Sequence, residues 1–316
     1  MKIGVYVSNF FFKKVTGQPM HEAVYENGIL KEMRYLSIRE LQRTTEEVIR
    51  YVEKLGVEEI EVYQTLERIE AMLPVLKNRA NMELTIHECN AELWYPGTRR
   101  ISSRNPQVRK VVTENLKWLI DMAGEVRARA IVLHAAAFDN TIRNTEGGGF
   151  GTENIFGFEE ARNLEIELLR ECSEQARKQG VILALENSEP QSVKASKGDI
   201  SRTAEDLAAL IDEVGSESVQ CTFDTGHAEV DFSAIEYAKI LDRRIVHVHL
   251  HDCDGKRPHL RLGDGRIDFD TLFKVFAEIE KKRGNEITIV LENEGEAGAD
   301  YEEEWEKLKK LKTAYS

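Results

Sequence analysis

The stretch His247-Val248-His249-Leu250-His251-Asp252 concentrates more chemistry than any other segment of the chain: three of the eight histidines lie here, and His259 follows closely. In a strand, alternate side chains point to opposite faces, so the histidines share one side and Val246, Val248 and Leu250 the other. An imidazole offers a ring nitrogen to a metal or a hydrogen bond to a substrate. The same theme recurs elsewhere. Apolar runs end in an ionisable residue at His87, His134, Glu186, Asp224 (with His227 three residues on) and Glu292. Burying so many titratable groups is unfavourable by several kcal/mol apiece unless they are paired or bind a cation. A divalent metal shared by carboxylates and imidazoles explains the pattern better than unrelated core polar groups.

The elements that must carry these residues alternate from end to end. Strands are expected at Lys2 to Ser8, Glu59 to Tyr63, Leu84 to Glu88, Ala130 to His134, Val181 to Glu186, Val219 to Asp224, Ile245 to His251 and Ile287 to Glu292. Each is followed by a segment of helical periodicity, such as Leu41, Val48, Ile49, Val52 and Leu55 ahead of Gly56. Eight strand–helix pairs in 316 residues predict an α/β fold of the (β/α)8 TIM barrel kind, a single domain over 1–316. An open doubly wound sheet also alternates, but the count and the polar strand ends favour the barrel. All the strand ends would then converge on one rim. The connection Asn9 to Ile38, with Phe10-Phe11-Phe12 and Tyr25, is expected on that rim, as a cover for substrate or a packed excursion. Trp94-Tyr95-Pro96-Gly97 invites the same two readings, and the glycines from Gly147 to Gly151 are read as loop rather than phosphate cradle.

The formal net charge of −13 argues against nucleic-acid or anionic-membrane partners. No apolar run reaches the length of a membrane span, and the first residues read as a strand rather than a signal peptide. Cys89, Cys172, Cys221 and Cys253 form no CxxC pair, which suits a reducing cytoplasm.

Ile131-Val132-Leu133-His134, Leu185-Glu186-Asn187, Phe223-Asp224-Thr225-Gly226-His227, His247 to Asp252, Leu262-Gly263-Asp264-Gly265-Arg266-Ile267-Asp268-Phe269 and Val290-Leu291-Glu292-Asn293 occur in an order that spans the barrel. On these residues the chain resembles the xylose isomerase-like TIM barrel superfamily, which includes sugar isomerases and epimerases, inosose dehydratase, hydroxypyruvate isomerase and endonuclease IV. The resemblance implies one divalent metal (Mn, Co, Mg or Zn) held by Glu186, Asp224, His249 and Glu292. It further implies a carbohydrate substrate (a sugar, sugar phosphate or related polyol or keto acid) and Glu186 and Glu292 as an acid/base pair acting through an enediolate. His227 would contact a substrate hydroxyl, and a homo-oligomer is in keeping with the family.

The competing resemblance is to endonuclease IV, a zinc-dependent enzyme that nicks DNA at abasic sites. Its ligand set is matched at His87, His134, Glu186, Asp224, His227, His249, His259 and Glu292, but the aspartate expected two residues before His259 is Arg257. His87 and His134 could hold a second metal or contact substrate. Arg257, if turned inward, could pair with an anionic substrate group beside His259. A dehydratase and a metal-binding barrel without turnover are further alternatives.

Overall fold

The computed structural model describes residues 1–7, 9–26, 29–63, 66–79, 82–88, 98–138, 156–187, 198–292 and 301–315. Eight parallel strands close into a barrel: β1 (Lys2–Val7), β4 (Glu59–Tyr63), β5 (Glu83–His87), β6 (Ala130–His134), β8 (Ile182–Glu186), β10 (Val219–Asp224), β11 (Ile245–Leu250) and β12 (Thr288–Leu291), which pairs back onto β1. Outside it, the hairpin strands β2 (His21–Glu26) and β3 (Ile29–Tyr35) follow β1, and the short strands β7 (Ala137–Phe138) and β9 (Gly198–Asp199) pair antiparallel. The strands follow one another around the barrel in chain order, and helices lie between them. Among the described residues no helix is long and apolar enough to cross a membrane.

Local sequence explains where the helices begin and stop. Ser37 and Glu40 form a capping box at the start of Ile38–Leu55, and Gly56 ends that helix at φ +72°. Asn105 caps Pro106–Glu125 with proline at the first helical position. The helix Leu66–Lys77 runs through Pro74 rather than stopping there.

Of the two roles open to the connection after β1, its described aromatics take the packed one. The connection after β1 is structured: a helix, Asn9–Thr16, precedes an antiparallel hairpin of β2 (His21–Glu26) and β3 (Ile29–Tyr35). Phe11 and Phe12 are fully buried, and Phe11 meets the rings of Tyr51 and Tyr301 edge-on, so these aromatics pack the core rather than cover a substrate. Trp94 to Gly97 and Gly147 to Gly151 lie outside the described residues. The strand β11 departs from expectation: its pairing with β10 slips between Cys221 and Thr222, so that Cys221 faces Ile245 and Thr222 faces His247. The extra residue, Val246, leaves the aliphatic face predicted for it and packs with Ala130 and Ala184 inside the barrel.

The interior is unusually polar for a fold whose centre is commonly filled by Val, Ile and Leu. Glu59, Glu61, Thr85, Thr222, His247 and Thr288 are all buried. Register places Gly4 opposite Glu59, and a Cβ there would come within 2.5 Å of the Glu59 carbonyl oxygen, so only glycine lets the backbones approach. At the lower end Arg129 reaches Glu59 (3.3 Å) and His247 Nδ1 (3.0 Å).

At the upper end Glu88, just past β5, ties the segment Thr98–Ser102 to the barrel. Its carboxyl meets the Thr98 amide at 2.6 Å and the Thr98 hydroxyl at 2.5 Å, while that hydroxyl also lies 2.7 Å from the His134 carbonyl. A hydroxyl has one hydrogen, so the arrangement is satisfied when Glu88 is protonated and donates to Thr98, which donates to His134. Burial accordingly pushes Glu88 up to about 7, although the Thr98 amide and the charges of His87 and Arg99 lower it. A carboxyl raised from 4.5 to about 7 favours the fold fully at pH below 4.5 and loses that contribution as pH rises through 7, about 3 kcal/mol in all. Glu88→Gln mimics the protonated acid. Urea unfolding from pH 4 to 8 should show the variant gaining on wild type as pH rises; a constant difference would refute the protonated arrangement.

Candidate metal centre

Glu186, Asp224, His249 and Glu292 reach one point from the carboxyl ends of β8, β10, β11 and β12. One ligand atom from each lies within 4.8 Å of all the others, and all four residues are buried. His249 Nδ1 sits among the carboxylates, 3.2 Å from Glu186 Oε1, 3.1 Å from Glu292 Oε2 and 3.9 Å from Asp224 Oδ2. Glu186 Oε2 and Glu292 Oε2 are buried without a hydrogen-bond partner among the described residues. Orphaned buried anionic oxygens converging with an imidazole nitrogen are what a divalent ion satisfies, and a mostly oxygen donor set suits Mn²⁺, Co²⁺ or Mg²⁺ and admits Zn²⁺.

The electrostatics agree. Burial would raise Glu186, but His249, His87 and His134 overcome it and hold its carboxyl well below the usual range. Burial would lower His249, and the charges of Glu292, Glu61 and Glu186 raise it well above 6.5 instead. A proton on His249 thus takes the place of the cation.

The surrounding motifs hold this arrangement in register. Asn187 and Asp224 exchange hydrogen bonds, the Asp224 amide donating to Asn187 Oδ1 (2.7 Å) and Asn187 Nδ2 donating to the Asp224 carbonyl (3.0 Å). Asp224 Oδ1 accepts the His227 amide at 2.7 Å, and Oδ2 lies 2.9 Å from His251 Nε2. A Cβ on Gly226 would fall 2.1 Å from the His251 ring, which accounts for glycine in Asp-Thr-Gly-His. Asp252 organises the loop that follows: its two oxygens accept the amides of Cys253, Gly263, Gly265 and Ile267 at 2.7–3.1 Å.

Each histidine expected at the site is brought there. His87 Nε2 and His134 Nε2 lie 3.6 and 3.5 Å from Glu186 Oε2, and these three residues form a second group able to hold an ion. Burial lowers His87, yet the neighbouring Glu186 carboxylate and the charge of Glu61 raise it to about 9, whereas burial takes His134 down to about 3. His227 Nδ1 lies 3.4 Å from Asp224 Oδ2 and 3.6 Å from Glu186 Oε1. His259 stacks on His251 at 4.1 Å, its backbone held at φ +58°.

Arg257 is the exception. Its side chain is 75% exposed and bound to Asp254 at 2.9 Å, because the Asp254 turn captures both its amide and its guanidinium. The inward, anion-binding orientation considered for it is not adopted. Two residues were missed from the sequence. His251 was seen in its motif but given no role, and Glu61 lies beneath the site, 3.1 Å from His249 Nε2. The alternation Glu59-Ile60-Glu61 in a strand was the available signal, since it puts two carboxylates on the inner face.

Residues 49–311 match the profile described as xylose isomerase-like TIM barrel. The chain belongs to that family. Among curated relatives it is 26% identical over 226 residues to an uncharacterized protein of Methanocaldococcus jannaschii, covering 69% of this chain and 67% of the relative. Among solved structures it is similar to a D-tagatose 3-epimerase-like protein (20% identity, 100% of this chain and 98% of that one, TM-score 0.68). A second is the apo form of 3-keto-D-glucoside 4-epimerase from E. coli (19% identity, 99% of both chains, TM-score 0.65). At these identities the likeness shows the fold.

Because His249 must give up its proton to an incoming ion, affinity for Mn²⁺ or Zn²⁺ should increase with pH above 6.5 and binding should release protons. Calorimetry in buffers of different ionisation enthalpy reads this. Glu186→Ala should lose binding at least tenfold; equal metal content in wild type and variant would remove the site.

Proposed function

We propose that the chain is a divalent-metal-dependent isomerase or epimerase acting on a sugar or related hydroxy-carbonyl compound. The observation that carries this reading is the pair Glu186 and Glu292. They come from strands separated by two others, yet each lies within about 3.2 Å of the same imidazole nitrogen, that of His249. Their placement suits two carboxylates that flank a substrate carbon and pass its proton between them. A divalent ion held by Glu186, Asp224, His249 and Glu292 supplies Lewis-acid polarisation of the substrate carbonyl.

The chain's own residues divide the remaining work. One of Glu186 and Glu292 removes the proton from the carbon next to the carbonyl, and the other returns one to that carbon or its neighbour. Glu186 must be ionised to hold a divalent ion, and a base needs the same form. His87, His134, His227 and His259 line the same mouth and would hydrogen-bond substrate hydroxyls. Two structurally similar proteins carry sugar-epimerase names, a D-tagatose 3-epimerase-like protein and a 3-keto-D-glucoside 4-epimerase, which supports a small carbohydrate substrate. Two features weigh against the DNA-nicking alternative: the net charge of −13, and Arg257, bound to Asp254, in place of a ligand aspartate.

The test is solvent proton exchange. With Mn²⁺ or Co²⁺ in D2O, a ketose panel followed by NMR should show deuterium entering the carbon beside the carbonyl. Glu186→Gln and Glu292→Gln should each slow this by about 10²–10⁴-fold. A metal-loaded protein that exchanges no ketose, or a Gln variant as fast as wild type, would overturn the assignment.

A further inference from the structure

We propose that Glu61 is the positioning residue of the metal centre: it selects the orientation and tautomer of His249 in which Nδ1 faces the carboxylates. The inference rests on the metal-dependent reading above and adds a residue outside the four ligands.

Glu61 is fully buried on the inner face of β4, one layer below the site. Its two oxygens serve two imidazoles. Oε1 lies 3.1 Å from His249 Nε2, and Oε2 lies 2.5 Å from His247 Nε2. An ionised carboxylate only accepts hydrogen bonds, so both Nε2 atoms carry hydrogen. The lone pair of neutral His249 is then confined to Nδ1, the nitrogen placed among Glu186, Asp224 and Glu292. The other tautomer would aim N–H at those carboxylates and leave no donor pair for a cation. Metal-ligating histidines commonly need such an outer partner to fix ring and proton.

Glu61 is itself held from below. His247 Nδ1 is 3.0 Å from Arg129 Nη2, consistent with the guanidinium donating to the imidazole and leaving Nε2–H for Glu61. Arg129 also reaches Glu59, whose Oε1 accepts from Thr85. Donor and acceptor roles are therefore compatible along the row: Arg129 donates to His247, and His247 and His249 both donate to Glu61. A buried polar ladder of this kind is poor value for stability compared with aliphatic packing. Its convergence on Glu61 is explained by the need to present one nitrogen of His249.

The experiment compares wild type, Glu61→Gln and Glu61→Asp. Zn²⁺ affinity is measured by competition with a chromogenic chelator, and ¹⁵N-histidine NMR of the Zn²⁺-loaded proteins reads which nitrogen of His249 carries hydrogen. A glutamine amide can donate to Nε2 and so favours the wrong tautomer. Glu61→Gln should bind Zn²⁺ on the order of 10–100-fold more weakly while keeping its far-ultraviolet spectrum, and Glu61→Asp should recover part of the loss. Loaded wild type should show Nε2–H on His249. Zn²⁺ affinity of Glu61→Gln within threefold of wild type, or His249 bound through Nε2, overturns the role of Glu61 and leaves the proposed reaction standing. Wild type that binds no Zn²⁺, Mn²⁺ or Co²⁺ overturns the metal centre itself. If Glu61→Gln does not fold, Glu61→Asp and the wild-type spectrum decide.

Discussion

Carboxylates that meet in a buried barrel mouth repel one another, and that repulsion is the condition to which the rest of the architecture answers. Glu186, Asp224 and Glu292 are drawn from three strands and share His249 as their common neighbour. Away from bulk water such like charges interact strongly. A surface cluster would relax by swinging its side chains apart. Here the strands fix the starting points, and the Asn187–Asp224 exchange and the His251 contact pin the aspartate. What remains is to neutralise the charge, by a proton on His249 or by a cation among the four residues. Stability and ligand binding are therefore linked at this mouth.

The same barrel shows why fold and site were legible to different degrees in the amino-acid order. Apolar runs ending in His87, His134, Glu186, Asp224 and Glu292 gave both the strands and their functional ends, because in parallel strands the chain direction alone decides which end carries the chemistry. The hairpin β2–β3 escaped because its flanks mix charged and apolar residues without strict alternation, although Asn27-Gly28 is a strong hairpin signal. Val246 was assigned to the wrong face because a one-residue slip against β10 leaves no trace in local periodicity. Glu61 went unassigned because its partner, His249, is 188 residues away. Arg257 had a local signal that was passed over: Asp254 three residues earlier is a turn-forming acceptor for it.

Similarity at about 20% identity and TM-scores of 0.65–0.68 leaves the substrate to be decided above the barrel. Barrels of this kind draw specificity from the loops after the strands and chemistry from the strand ends. The metal-ligating candidates of this chain sit on or directly after the strands, and the polar interior beneath them extends the chemical layer downward instead of ending it at the rim.

The anchoring of the β11 loop by Asp252 has a consequence for how this protein could diverge. A single carboxylate gathers four peptide amides, those of Cys253, Gly263, Gly265 and Ile267, so the loop is fastened through its main chain. A Cβ on Gly265 would fall 2.3 Å from Asp252, so that position is fixed as glycine. Some side chains of the loop add to this, Arg257 binding Asp254 and Arg266 binding Glu229. Substitutions at loop positions outside these contacts can therefore alter the loop's outward chemistry while the main-chain anchor on Asp252 stays in place.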